Sequence, residues 1–181
     1  MARDTDLRAL IRTIPDFPRP GVRFRDITTL LKDAAGFRRT VDRLAAAYKG
    51  AAIDKVVGIE SRGFIVGAAL AAKLRTGFVP IRKGGRLPAE RFGEDYALEY
   101  GQDRLEIHRD AIAAGERVLL VDDLVATGGT AIAALTLLER ANARVVGCAF
   151  VIALADLGGR AALERLGIPV TALIAFDADL E

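Results

Sequence analysis

The chain of 181 residues has no tryptophan, one methionine, one cysteine and one histidine. A lone cysteine, Cys148, has no disulfide partner and no second thiol for a metal. Its place in the apolar run VVGCAFVIAL reads as a buried strand position. The lone histidine, His108, lies between charged neighbours in RLEIHRD, which suggests an exposed strand end and excludes a histidine-built zinc site. Apolar runs such as VIALA at 151–155 fall far short of the roughly 20 residues that cross a bilayer, so no membrane span is expected. The opening MARDTDLRAL mixes charge signs and lacks the apolar centre of a signal peptide, which makes a cytoplasmic location the expectation. Lys and Arg number 26 against 24 Asp and Glu, for a net charge of +2, and they form no basic block. A nucleic-acid partner therefore has no electrostatic footprint. Two phosphate motifs are missing as well: GxxxxGK[ST] does not occur, and no two glycines are spaced as GxG, which disfavours a Rossmann cofactor.

What remains is an ordinary globular composition, 51% hydrophobic and 28% charged, long enough to bury a full core as one domain spanning 1–181. After the first 35 residues, strand-like apolar runs recur: KVVGI at 55–59, FVPIR at 78–82, RVLLV at 117–121, RVVGCAFVIAL at 144–154 and PVTALIAF at 169–176. Amphipathic segments separate them. In the clearest, Asp33 to Tyr48, the residues Phe37, Val41, Leu44, Ala45 and Tyr48 recur at helical spacing, Asp33 can cap the start and Gly50 can end it. Continuous apolar strands alternating with helices predict an α/β core at 36–181, with a central, mainly parallel sheet covered on both faces.

Ligands of such sheets bind beyond the C-terminal strand ends, where IESRG, IRKGGRLP and VDDLVATGGT all begin. Two stretches break the rhythm. PDFPRPGVRF, at 15–24, holds three of the six prolines and reads as an ordered extended flap within an N-terminal hood of residues 1–35. GGRLPAERFGEDYALEYGQDRLEIH, at 84–108, reads as a mobile β-ribbon.

The stretch VLLVDDLVATGGT sets Asp122 and Asp123 side by side at an expected strand end and then runs into small residues ahead of a helical AIAALTLLERA. The N–H groups and hydroxyls of ATGGT would lie where a helix N-terminus is partially positive, which favours phosphate, although a structural turn would also explain the loop alone. Carboxylates are poor partners for phosphate and good acceptors for vicinal hydroxyls. A ribose 5-phosphate, lying between acids and loop, suits both.

This stretch resembles the phosphoribosyl pyrophosphate motif of type I phosphoribosyltransferases. PDFPRPGVRFRDITTLLKD, GIESRGFIVGAALA, IRKGGRLP and YALEYG, in that order, are similar to segments that mark the adenine phosphoribosyltransferase branch of the superfamily. The resemblance implies the type I fold and transfer of ribose 5-phosphate from phosphoribosyl pyrophosphate to N9 of adenine, giving AMP and pyrophosphate. It also implies Mg²⁺ held mainly by substrate oxygens and water, without a permanent metal site, and a homodimer.

Residue by residue, the resemblance gives Ala126, Thr127, Gly128, Gly129 and Thr130 the 5-phosphate, and Asp122 and Asp123 the ribose hydroxyls. It gives pyrophosphate to Ser61 and Arg62, with a strained or cis peptide within Glu60 to Arg62, and to the cations Arg82, Lys83 and Arg86. Glu99 matches the catalytic acid near N7 of adenine. Phe24 would lie on the purine, and the backbone of Arg23 or Arg25 would read its N1 and amino edge. Alone, each has a plainer reading: a solvated basic turn, one more ribbon glutamate, a packed phenylalanine. The chain departs from the family where Arg86 stands for the usual lysine of GKLP and where RFGED precedes YALEYG. Sister enzymes acting on hypoxanthine, guanine, xanthine or orotate share the phosphate loop. A regulator that kept the fold would need an added DNA-binding segment, for which residues 1–14 are too short.

Overall fold

The computed structural model describes residues 7–97 and 101–177. Glu99, the expected catalytic acid, lies outside the described residues. A seven-stranded sheet runs in the order β5 (Arg91–Ala97), β6 (Gln102–His108), β4 (Gly77–Lys83), β3 (Lys55–Ile59), β7 (Arg117–Val125), β8 (Arg144–Leu154) and β9 (Val170–Phe176). Its parallel body consists of β3, β4, β7, β8 and β9.

Successive residues of these strands feed opposite faces, which explains why the runs are apolar throughout. Val118, Leu120, Cys148 and Phe150 join one core with Ala134, Leu137 and Leu138 of helix α4 (Gly129–Arg140) and Leu163 of α5 (Gly159–Arg165). Leu119, Val121, Ala149 and Val151 join the other. There they meet Leu44 of α2 (Ala34–Ala47) and Val66 and Leu70 of α3 (Arg62–Leu74). Each such Leu or Val contributes roughly 1.5–3 kcal/mol by leaving water. Helix α2 starts as its sequence indicates: the Asp33 carboxylate accepts from Gly36 N at 2.6 Å, a cap that contributes about 1 kcal/mol.

The hood is a separate two-stranded sheet, β1 (Arg12–Ile14) against β2 (Phe24–Asp26), followed by the short helix α1 (Thr28–Leu31). Leu7, Ile27 and Leu30 are fully buried and fasten it to the second core beside Phe176. The ribbon is the hairpin of β5 and β6. It continues the main sheet, because β6 pairs antiparallel with the end of β4 at Arg82↔Glu106 and Lys83↔Leu105. His108 departs from expectation: it is half-buried, and its Nε2 is enclosed without a hydrogen-bond partner among the described residues.

Candidate active site

Strand β7 does not stop at Val121. Parallel pairing with the long β8 carries it on through Asp122↔Phe150 and Leu124↔Ile152, so the acid pair lies within the strand's last residues. The chain then turns through Ala126 and Thr127 into α4, with Gly128 at φ 92° as its N-cap. Only glycine takes that conformation without strain. Among the described residues no side chain caps this helix, whose first N–H groups lack intrahelical partners by construction. The loop is held from behind by Gly159, whose N donates to Ala126 O at 2.9 Å.

The two acids have different surroundings. Asp123 is buried and accepts from Arg62 Nε at 2.5 Å. Arg62 opens α3, which approaches β7 so closely that a Cβ at Gly63 would stand 2.8 Å from Asp122 Oδ1. Asp122 accepts the backbone N–H of Asp123 at 2.8 Å. Burial first, and then the neighbouring Asp123 charge, push its carboxyl well above the usual carboxylate range. For Arg62, burial works against the charge, but Asp123, Asp122 and Asp26 outweigh it and raise its pKa.

Across from the acids, the Glu60–Ser61 peptide is cis, within the segment where the resemblance implied such a bond. Glu60 gathers the basic turn: Oε2 accepts from Arg82 Nε at 3.2 Å and from Lys83 N at 3.1 Å, and Oε1 from Arg86. Burial would raise its pKa, but these donors hold it below the usual value. Lys83 Nζ donates to Asp103 Oδ2 at 2.8 Å, and the Tyr96 hydroxyl donates to the same oxygen at 3.2 Å.

These groups border one cavity of about 560 Å³, walled by Glu60, Ser61, Arg62, Lys83, Arg86, Tyr96, Asp103, Phe150 and the run from Asp122 to Ala131. The volume falls within the range of small-ligand pockets. The cavity brings together three cations, the acid pair and a helix start that no described side chain caps, an arrangement that suits a sugar carrying phosphates at both ends.

A family model described as Phosphoribosyl transferase domain matches residues 28–165. The adenine phosphoribosyltransferase of Methylobacillus flagellatus is 60% identical over 172 residues, which cover 95% of this chain and 98% of that protein. The chain belongs to the adenine phosphoribosyltransferase family. Its backbone follows that of the family's enzyme from Thermoanaerobacter pseudethanolicus with a TM-score of 0.91 at 46% identity, covering 96% of this chain and 99% of that one. The Saccharomyces cerevisiae family member, solved in complex with D-2,5-dideoxy-2,5-imino-altritol 1,6-bisphosphate and adenine, gives 0.88 at 40% identity, covering 95% and 98%.

Of the residues that the sequence singled out, Ser61, Arg62, Lys83, Arg86, Asp122, Asp123 and Ala126 to Thr130 line the cavity together. Arg82 does not border it, being turned to Glu60 and to the carbonyl of Arg86. The hood residues stand next to the cavity. Phe24 lies under the Arg62 guanidinium at 5.6 Å and edge-on to Phe17 at 5.2 Å. The Arg25 side chain turns away to Thr13 and the face of Phe176, and Arg23 is exposed. Three groups of this family member's site escaped the sequence reading: Glu60, the Tyr96–Asp103 pair and Gly159. Glu60 stands inside the quoted IESRG. Tyr96 opens the quoted YALEYG, whereas Asp103 and Gly159 had no local signal, because their neighbours come from strand register and helix docking.

Proposed function

We propose that the chain transfers ribose 5-phosphate from phosphoribosyl pyrophosphate to N9 of adenine, releasing AMP and pyrophosphate in purine salvage. The observation that carries this reading is the cavity in which the acid pair, the ATGGT loop and the Arg62, Lys83 and Arg86 cations meet, in a chain 60% identical to an adenine phosphoribosyltransferase. The backbone of ATGGT and its threonine hydroxyls bind the 5-phosphate at the helix start. Asp122 and Asp123 accept from the ribose hydroxyls and face the positive charge that grows on the ring as pyrophosphate departs. Ser61, Arg62, Lys83, Arg82 and Arg86 receive that departing polyanion, Arg82 by way of the Glu60 turn. Holding both reactants in line supplies much of the acceleration, and fixed charges supply the rest.

The donor set fits Mg²⁺ carried by the substrate. Asp123 is already bonded to Arg62, Glu60 to Arg82 and Arg86, and Asp103 to Lys83, which among the described residues leaves Asp122 alone, too few for a protein cage. An ion that gives up water reluctantly would keep its shell largely as substrate oxygens and water. Bound there, it would supply charge neutralisation for the leaving group. Glu99 manages the proton lost as N9 attacks. Phe24 covers the purine, and a main-chain carbonyl of Arg23 or Arg25 accepts from the 6-amino group. Hypoxanthine and guanine would set a carbonyl against that acceptor, a mismatch that excludes analogues strongly. The protein acts as a single domain with its hood, as a homodimer, in the cytoplasm.

The test is pyrophosphate release from phosphoribosyl pyrophosphate and Mg²⁺ with adenine, hypoxanthine, guanine or orotate supplied singly. Release with adenine alone, reduced roughly 100-fold or more by Glu99→Ala, supports the reading. Release with another base, or with none, overturns it.

A further inference from the structure

Lys83 is held toward the cavity from a neighbouring strand. It pairs with Leu105, so Asp103, two residues along β6 on the same face, is its diagonal neighbour. Tyr96 stands directly opposite Asp103 across the hairpin. Its hydroxyl donates to the carboxylate oxygen that also receives Lys83 Nζ. Thr130, Tyr96, Asp103 and Lys83 all border the cavity. A hydrogen-bonded chain thus runs from Tyr96 through Asp103 to Lys83 at the cavity's edge.

A carboxylate set among groups meant for a polyanion repels that ligand. The Lys83–Asp103 pair is also partly in solvent, with side chains 48% and 22% exposed, where an ion pair adds little stability. Its geometry therefore has a use other than holding the fold. A free lysine side chain has four rotatable bonds and loses much rotamer freedom on binding.

We infer that Asp103 and Tyr96 are positioning residues that aim Lys83 at the diphosphate. This rests on the reading of the cavity as a phosphoribosyl pyrophosphate site. Asp103 touches no reacting atom and acts through Lys83.

The experiment measures binding of phosphoribosyl pyrophosphate with Mg²⁺ by calorimetry, alongside steady-state turnover with adenine and thermal unfolding. Asp103→Asn weakens phosphoribosyl pyrophosphate binding about tenfold, raises its KM in step and leaves the adenine KM unchanged. Asp103→Glu recovers part of the loss, and Tyr96→Phe weakens binding by a few-fold. In a Lys83→Ala background, adding Asp103→Asn changes binding by less than about twofold, because the group it positions is already gone. Tighter binding by Asp103→Asn, the same tenfold loss without Lys83, or a loss explained by unfolding overturns the inference. A wild-type protein that binds the sugar without turning over adenine removes the proposed reaction, while the binding series still decides the role of Asp103.

Discussion

Replacing Gly159 by alanine puts the ATGGT loop under direct load. A Cβ there would stand 2.3 Å from Ala126 O, 2.6 Å from Gly128 N and 2.8 Å from Thr127 C, all of them backbone atoms. Ordinary contact begins near 3.4 Å, so the loop and the start of α5 must separate by about 1 Å. Overpacking of this kind costs about 1–3 kcal/mol, which for a chain of this size lowers Tm by roughly 2–12 °C. The loop is a single turn tied to Gly159 N through Ala126 O, whereas α5 rests on Leu163 in the core, so the loop is the part that yields. A 1 Å misplacement of a binding group can cost on the order of 100-fold in rate. The expected result is a kcat/KM for phosphoribosyl pyrophosphate lowered about 10- to 100-fold in a pyrophosphate-release assay, with the adenine KM little changed. Gly167→Ala serves as the comparison, since its φ of 77° strains an alanine while no atom lies within 4 Å of the added carbon. It should lose stability and keep its KM. If Gly159→Ala behaves in the same way, α5 has moved and the loop has not, and the argument that Gly159 sets the loop's position fails.

Asp122→Asn should stabilise the protein at neutral pH while impairing turnover. A carboxyl whose folded-state pKa is raised keeps its proton where the unfolded chain has lost it, so stability falls as pH climbs from the ordinary carboxylate range through the folded value. The gain in Tm from the amide should therefore shrink toward pH 4, and an equal gain at pH 4 and pH 8 would refute the burial argument. Asp26 has the opposite sign: Arg12 and the N–H and hydroxyl of Thr28 lower its pKa to about 2. Its contribution is present above about pH 4 and lost as pH falls toward 2. Because Arg12 is largely in solvent, Asp26→Asn should cost only about 1 kcal/mol at pH 7, read from urea unfolding, and nothing near pH 2.

The α/β body was legible because its signals are local. Lys55–Ile59 and Arg144–Leu154 occupy the positions that their apolar runs mark, and Ala34–Ala47 starts after its Asp33 cap. Strand β7 outran its apolar run because ladder pairing with β8 continues past the first polar residue, a property of the neighbour rather than of β7 itself. Glu60 was passed over for its basic neighbours, and in sequence it is one acid beside a serine and an arginine. Gly159 lies 33 positions beyond Ala126, and only the docking of α5 brings them together. Tyr96 opens YALEYG, but Asp103 looks like an ordinary ribbon residue until the hairpin register sets the two opposite each other.

The charges of the site follow one rule. Each cation proposed for the polyanion already has a carboxylate: Arg62 has Asp123, Lys83 has Asp103, and Arg82 and Arg86 share Glu60. Four unpaired cations in and beside one cavity would repel one another and would trap any passing phosphate. Pairing removes both problems and fixes each side chain before the substrate arrives, so less rotamer entropy is lost on binding. It also lowers the net gain, since a phosphate oxygen must share or displace a carboxylate that is already bonded. Among these pairs the consequences differ with solvent access. Asp123 and Glu60 are enclosed, so their arginines can lean toward a ligand but cannot abandon a buried charge without cost. Lys83 and Asp103 are partly in water, where exchanging a carboxylate for a phosphate is easy. Arg62 and Glu60 therefore form the fixed frame of the cavity, and Lys83 is the cation best able to change partners when pyrophosphate is released.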